Sequence, residues 1–162
     1  MRKIGSVMIN IFVSRSTWFP PGLKTHLPEL YVELDRLGLT PTTLGTSVAP
    51  IQTPFDEIRA LMGQSRCAII LGTHHLIADD VRLKGQPAGK MILPTEWNHI
   101  EAATALVLDL PTLVLLQTNV SARGLFERGA ANVFVHECDL RFKNWVRKVV
   151  PALEALRNRV AP

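Results

Sequence analysis

Cys67-Ala68-Ile69-Ile70-Leu71 is apolar at five consecutive positions. A strand with one wet face alternates apolar and polar residues. A strand covered on both faces has no reason to, so this run predicts a central strand of a parallel sheet with helices on either side. Toward the amino end, Val7 to Val13 is β-branched and apolar enough for a first buried strand, and Ser14-Arg15-Ser16-Thr17 ends it. Pro20-Pro21-Gly22 is a turn. From Lys24 to Leu37, Leu27, Leu30, Tyr31, Leu34 and Leu37 recur at helical spacing, and Gly38 stops the helix. Leu39 to Leu44 is a second strand, and Gly45 to Thr53 a loop. Thr53 caps a helix that Pro54 opens and that Phe55, Ile58, Leu61 and Met62 line on one face.

Toward the carboxyl end, the polar stretch Gly72 to Thr95 contains Asp79-Asp80, Lys84-Gly85 and Pro87 and reads as a long connection. Connections of that length inside a small domain are usually functional or mobile. Glu96 to Leu108 is a helix capped by Thr95. Thr112 to Leu116 is a fourth strand, Asn119 to Gly129 a loop, and Asn132 to His136 a fifth strand. Phe142 to Leu156 is a final helix that Pro151 kinks or splits. Strands alternating with helices predict one α/β domain over residues 1–162: a three-layer sandwich around a doubly wound, parallel, five-stranded sheet of the flavodoxin-like kind.

Composition narrows the function. The chain has 162 residues, 47% hydrophobic and 20% charged, which supplies a full core and argues against disorder. The net charge of +4 falls late in the chain, at Arg141, Lys143, Arg147, Lys148, Arg157 and Arg159, as expected for the solvated face of a terminal helix. Nucleic-acid binding is not expected. Only Phe142 and Trp145 interleave with those cations, and their spacing of three suits core-facing helix positions. No apolar run spans a membrane: the longest, Thr104 to Leu116, is interrupted by Asp109 and Pro111. Met1-Arg2-Lys3-Ile4-Gly5 could open a secretion signal, but no small-residue cleavage site follows. The two cysteines, Cys67 and Cys138, form no CxxC pair, which suggests reduced thiols and a cytoplasmic home.

Ligands of such sheets bind beyond the carboxyl ends of the strands, where Ser14 to Thr17, Gly72 to Thr95 and Gln117 to Arg123 gather. The helix that opens there begins Thr95-Glu96-Trp97-Asn98-His99-Ile100-Glu101. Asn98 and Glu101 share a face by their spacing of three, and small Ala102, Ala103 and Ala105 allow close approach. A carboxylate so placed can bind ribose hydroxyls. It can also stabilise, or attack, the anomeric carbon of a sugar as a glycosidic bond breaks. The bland alternative is a glutamate tied to nearby backbone or to Arg15. The functional reading requires the Glu101 carboxylate to project into an open, sugar-sized hollow.

This segment resembles the Ser-x-Trp-Cys-x-x-Glu pattern of Toll/interleukin-1 receptor (TIR) domains, with Thr95, Trp97, Asn98 and Glu101 at the four named positions. The strand order around it is also similar to that of nucleoside 2-deoxyribosyltransferase-like proteins. In both families the helix glutamate serves N-glycosidic cleavage, of NAD or of nucleosides. The resemblance therefore implies an N-glycosidase or ribosyltransferase in which Glu101 is catalytic. Trp97 and Asn98 would shape the pocket, and Ser14, Arg15, Ser16, Thr73 and His74 would contact substrate. It implies NAD or another nucleotide as substrate, no separate cofactor, a homo-oligomer, and, for bacterial members, a place in phage defence. The rival is a non-enzymatic TIR-like module that senses a nucleotide or self-associates. Asn98 stands where the pattern has cysteine, and Thr73 to Pro94 has no counterpart in it.

Other chemistries lack their residues. No GxxxxGK[ST] or GxGxxG occurs, no acidic pair follows the first strand as in a receiver domain, and no Gly-x-Ser-x-Gly elbow is present. His74-His75 has no ligand partners at metal-binding spacing, so no metal is expected. Adjacent residues point apart on an extended chain, so at most one of the two meets a ligand. His99 lies off the Glu101 face and is expected to be exposed, Asp79-Asp80 to solvate a loop tip, and Arg123-Gly124 to make a turn or a phosphate contact.

Overall fold

A computed structural model describes residues 8–45, 53–131 and 133–161. The expected strand start at Val7, most of the loop 45–53, and Asn132 lie outside them. The main sheet holds β1 (Ile9–Arg15), β2 (Leu39–Thr42), β3 (Ala68–Gly72), β6 (Thr112–Gln117) and β7 (Phe134–Cys138). Every pairing in it is parallel, and the spatial order is β2-β1-β3-β6-β7. Strand order therefore reverses between β1 and β3, the position at which open α/β sheets place their ligands.

The continuous apolarity of the strands resolves into two cores by their period of two. Ile9, Ile11, Val13, Ile69, Leu71, Leu113 and Leu115 pack with α1 (Pro28–Arg36) and α4 (Val150–Val160). Phe12, Ala68, Ile70, Val114 and Leu116 pack on the opposite face with α2 (Pro54–Gly63) and α3 (Glu96–Val107). Most of these side chains are fully buried, so two helical layers are needed to close the sheet. Thr53 caps α2 through the Asp56 amide. Gly38, at φ +70°, takes the left-handed position past α1 that a β-carbon would strain.

Three expected elements differ. The connection after β3 is a β-hairpin, formed by β4 (Leu76–Leu83) and β5 (Gln86–Leu93). Its turn is Lys84-Gly85, both at positive φ (50° and 79°), the geometry of the tight turns that match strand twist. Asp79 and Asp80 sit within β4, at its register shift, and not at the tip. The first helix begins at Pro28, because residues before it form tight turns and proline suits a first helical turn. The final helix begins at Val150 for the same reason, with Pro151 in its first turn, where its missing amide costs nothing. Trp145 lies in a short 3-10 turn, Trp145–Lys148, and donates from its indole Nε1 to the His26 carbonyl at 2.9 Å. Phe142, expected in the core, is exposed beside the Arg141 guanidinium. Among the described residues, no helix is long and apolar enough to cross a membrane.

Candidate functional site

Gly72 ends β3, and a β-carbon on it would lie 2.9 Å from Leu116 Cδ1 and 3.6 Å from Pro94. Glycine thus lets the residues that open α3 settle against the sheet. Thr95 caps the helix: its hydroxyl accepts from the Asn98 amide at 3.1 Å, and Asn98 Oδ1 accepts from the Thr95 amide at 3.2 Å. This reciprocal capping box fixes the Asn98 side chain. Its Nδ2 then donates to Ser14 Oγ at 2.8 Å. The Ser14 hydroxyl is left to donate its own proton to the Glu101 carboxylate, with which it is hydrogen-bonded. A chain of polar contacts runs from Thr95 through Asn98 and Ser14 to Glu101, bridging the carboxyl end of β1 and the first two turns of α3.

All four residues are buried, and Glu101 keeps 8% of its surface exposed. Burial raises its carboxyl from 4.5 to about 7, against the opposing hydrogen bond from Ser14. Removing water from the carboxylate costs more than one hydroxyl returns. The side chain is neither sealed nor open. Two larger hollows of the molecule, about 690 and 430 Å³, are lined by other residues. Neither hollow reaches Glu101, so the open, sugar-sized basin expected above its carboxylate is not what the described residues form: the side chain is buried.

The remaining candidates separate. Arg15, next to Ser14, points to the other face, over the rings of Phe19 and Tyr31 at 5.8 and 5.9 Å. Thr73 is fully buried, with its hydroxyl unpartnered. Ser16 Oγ accepts the Trp18 amide at 3.1 Å. His74 Nε2 lies 3.3 Å from the Thr118 carbonyl, tying the hairpin's stem to the end of β6. Trp97 is 44% exposed at the start of α3. Trp18, which the sequence pattern did not single out, is 54% exposed and edge-on to His75 at 6.2 Å. A lone exposed tryptophan after a strand was its only signal. His99, expected to be exposed, is half-buried. It stacks on Phe126 at 4.3 Å, and burial lowers its pKa. Arg123 and Gly124 are exposed, beside a 3-10 turn at Gly124–Phe126.

The capping box makes a direct prediction. Asn98→Ala removes Thr95's reciprocal acceptor and leaves Ser14 without its donor inside the protein. We expect a loss of about 2 kcal/mol in urea unfolding, several times the effect of an exposed substitution on the same helix.

These features define an open, parallel α/β fold with a buried carboxylate at its topological switch point. No protein-family model matches the chain, and comparison with curated proteins gives no match. Among solved structures, the chain is similar to that of Clostridium botulinum CMP N-glycosidase, BcmB. The TM-score is 0.53 at 13% sequence identity, over 90% of this chain and 98% of that one. The likeness is one of fold.

Proposed function

We propose that the chain is an N-glycosidase of nucleotides or nucleosides in which Glu101 is the carboxylate that meets the sugar. The observation that carries this reading is the Glu101 carboxyl itself: buried, held by Ser14 and Asn98 at the β1–β3 switch point, and raised to about 7. A perturbed carboxyl at the ligand position of the fold is the usual mark of a working group. The fold shared with a CMP N-glycosidase supports the same chemistry.

In this mechanism the bond between the anomeric carbon and the base nitrogen breaks, and the base leaves with the bonding pair. Ionised Glu101 stabilises the resulting oxocarbenium-like carbon or bonds to it. Water then supplies its hydroxyl to that carbon; its proton goes to a base that leaves as an anion, or to solvent where the base leaves neutral, as nicotinamide does from NAD, so free base and the sugar, sugar phosphate or ADP-ribose are formed. Ser14 keeps the carboxylate oriented, and Asn98 keeps Ser14 oriented. Trp97, exposed in the first turn of the same helix, is the aromatic surface available to stack on the base. NAD is a candidate substrate on the TIR-like resemblance, and a pyrimidine nucleoside monophosphate on the structural one.

The test is to incubate the pure chain with CMP, NAD, and a set of ribo- and deoxyribonucleosides, and to separate the products by chromatography. Free base from at least one of them is expected. Thermal stabilisation by a nucleotide without release of base, at high protein concentration, would place the chain among nucleotide sensors instead.

A further inference from the structure

Among the described residues, β4 and β5 pair only with each other, and none of residues 76–93 is buried. A two-stranded hairpin that packs on nothing is marginal in water. This one is held at its feet. The His75 amide donates to the Leu93 carbonyl at 2.9 Å, and the Ser121 amide to the Ile92 carbonyl at 2.7 Å. The Ile92 amide donates in turn to Ser121 Oγ at 3.3 Å. One foot leaves the end of β3 through Thr73 and His74, and the other enters Thr95, the cap of the helix that carries Glu101. The hairpin therefore rises between two elements that frame the candidate site.

Its ladder breaks partway up. Ala78 pairs with Met91 and Val81 with Gly89, so Asp79 and Asp80 stand against Lys90 alone. One step further, Ala88 is extra on the opposite strand. Asp80 and Gly89 lie at φ +54° and +71°. Two bulges in succession, one on each strand, interrupt the ladder at one level, and bulges are where strands bend and re-aim their side chains. Beyond this level, Val81 to Gly89 contains Arg82 and Lys84 and no carboxylate. Neither cation makes an ion pair among the described residues. Arg82 Nη1 donates to the Gly85 carbonyl at 3.1 Å, which ties the tip together. At about 3.3 Å per residue, the stem below the bulges and the arm beyond them each measure about 10 Å. That is enough to stand beside a nucleotide on the rim and to reach across it.

We propose that this arm bends at its bulges to cover a nucleotide bound at Glu101, and that Arg82 and Lys84 meet its phosphate. The proposal rests on the N-glycosidase reading and narrows it to substrates that carry phosphate. Ionised Glu101 repels a phosphate, so binding a nucleotide needs positive charge on the far side of the sugar. An arm that arrives with the substrate supplies that charge and excludes water from the reacting carbon until the bond has broken.

Limited digestion with trypsin, read by mass spectrometry, reports on the arm directly. Cleavage after Arg82 and Lys84 should be fast in the free chain and at least about tenfold slower with saturating CMP or NAD. Cytidine, which lacks the phosphate, should leave it unchanged. Arg82→Ala combined with Lys84→Ala should raise KM for the phosphorylated substrate about tenfold or more, as loss of charge-assisted hydrogen bonds does. Both side chains are exposed, so the double variant should keep the wild-type melting temperature. Base release from CMP or NAD with unaltered digestion, or with KM unmoved by the double substitution, overturns the arm and leaves the glycosidase reading intact. Equal protection by cytidine overturns the role of the phosphate. Protection by a nucleotide without release of base upholds the arm and removes the glycosidase reading. A chain that neither binds nor cleaves either nucleotide removes both.

Discussion

Glu101→Gln is expected to release base from the chain's nucleotide substrate about 10³-fold or more slowly than the wild type, while keeping the fold. Glutamine matches the shape of glutamate and can still accept the Ser14 hydroxyl proton through its amide oxygen, so the polar chain from Thr95 survives. What it lacks is negative charge. A neutral amide neither balances the positive charge that develops on the sugar nor forms an ester with it, and losing such a group typically costs several powers of ten. The readout is free base by chromatography under single-turnover conditions, with circular dichroism as the check on folding. Retained turnover in this variant would remove Glu101 from the reaction.

The second large effect is on stability. The folded-state pKa of Glu101 is about 7, above its ordinary value of 4.5. A group whose folded pKa is raised stabilises the fold fully below its unfolded pKa, and that contribution is lost as pH rises through the folded value. Wild-type stability attributable to Glu101 is therefore intact below about pH 4.5 and gone above about pH 7. The full difference is at most about 3.5 kcal/mol, since each pKa unit is worth about 1.4 kcal/mol. Glutamine does not titrate. Relative to wild type, Glu101→Gln should gain stability across this window, melting up to roughly 7–14 °C higher at about pH 8 and no higher at about pH 4. Equal shifts at both pH values would show that ionisation of Glu101 is not what burial opposes.

Much of this was legible because strands and helices leave different periods in a sequence. Ile69, Ile70 and Leu71 announce a strand buried on both faces, and the structure divides them between two cores. The 98/101 spacing likewise announced one shared helix face, and both side chains do converge on Ser14. The hairpin was not legible. Asp79, Asp80, Pro87 and Gly89 break the alternation of its strands, and its exposed surface gives no apolar stripe to read. Its one clear signal, Lys84-Gly85 as a two-residue turn, lay between runs too polar to suggest strands. The separation of Arg15 from Ser14 follows from alternation within β1, which places neighbours on opposite faces. The burial of Glu101 was beyond reach, because it depends on how the residues around α3 close together and not on any local pattern.

The pH dependence of kcat/KM for base release joins the geometry of Glu101 to its chemistry in one experiment. With the carboxylate as the active form, the rate should fall about tenfold per pH unit below an apparent pKa of about 7 and level off above it. A profile that stays flat from about pH 5 to pH 8 would contradict the assignment of the reaction to this carboxylate.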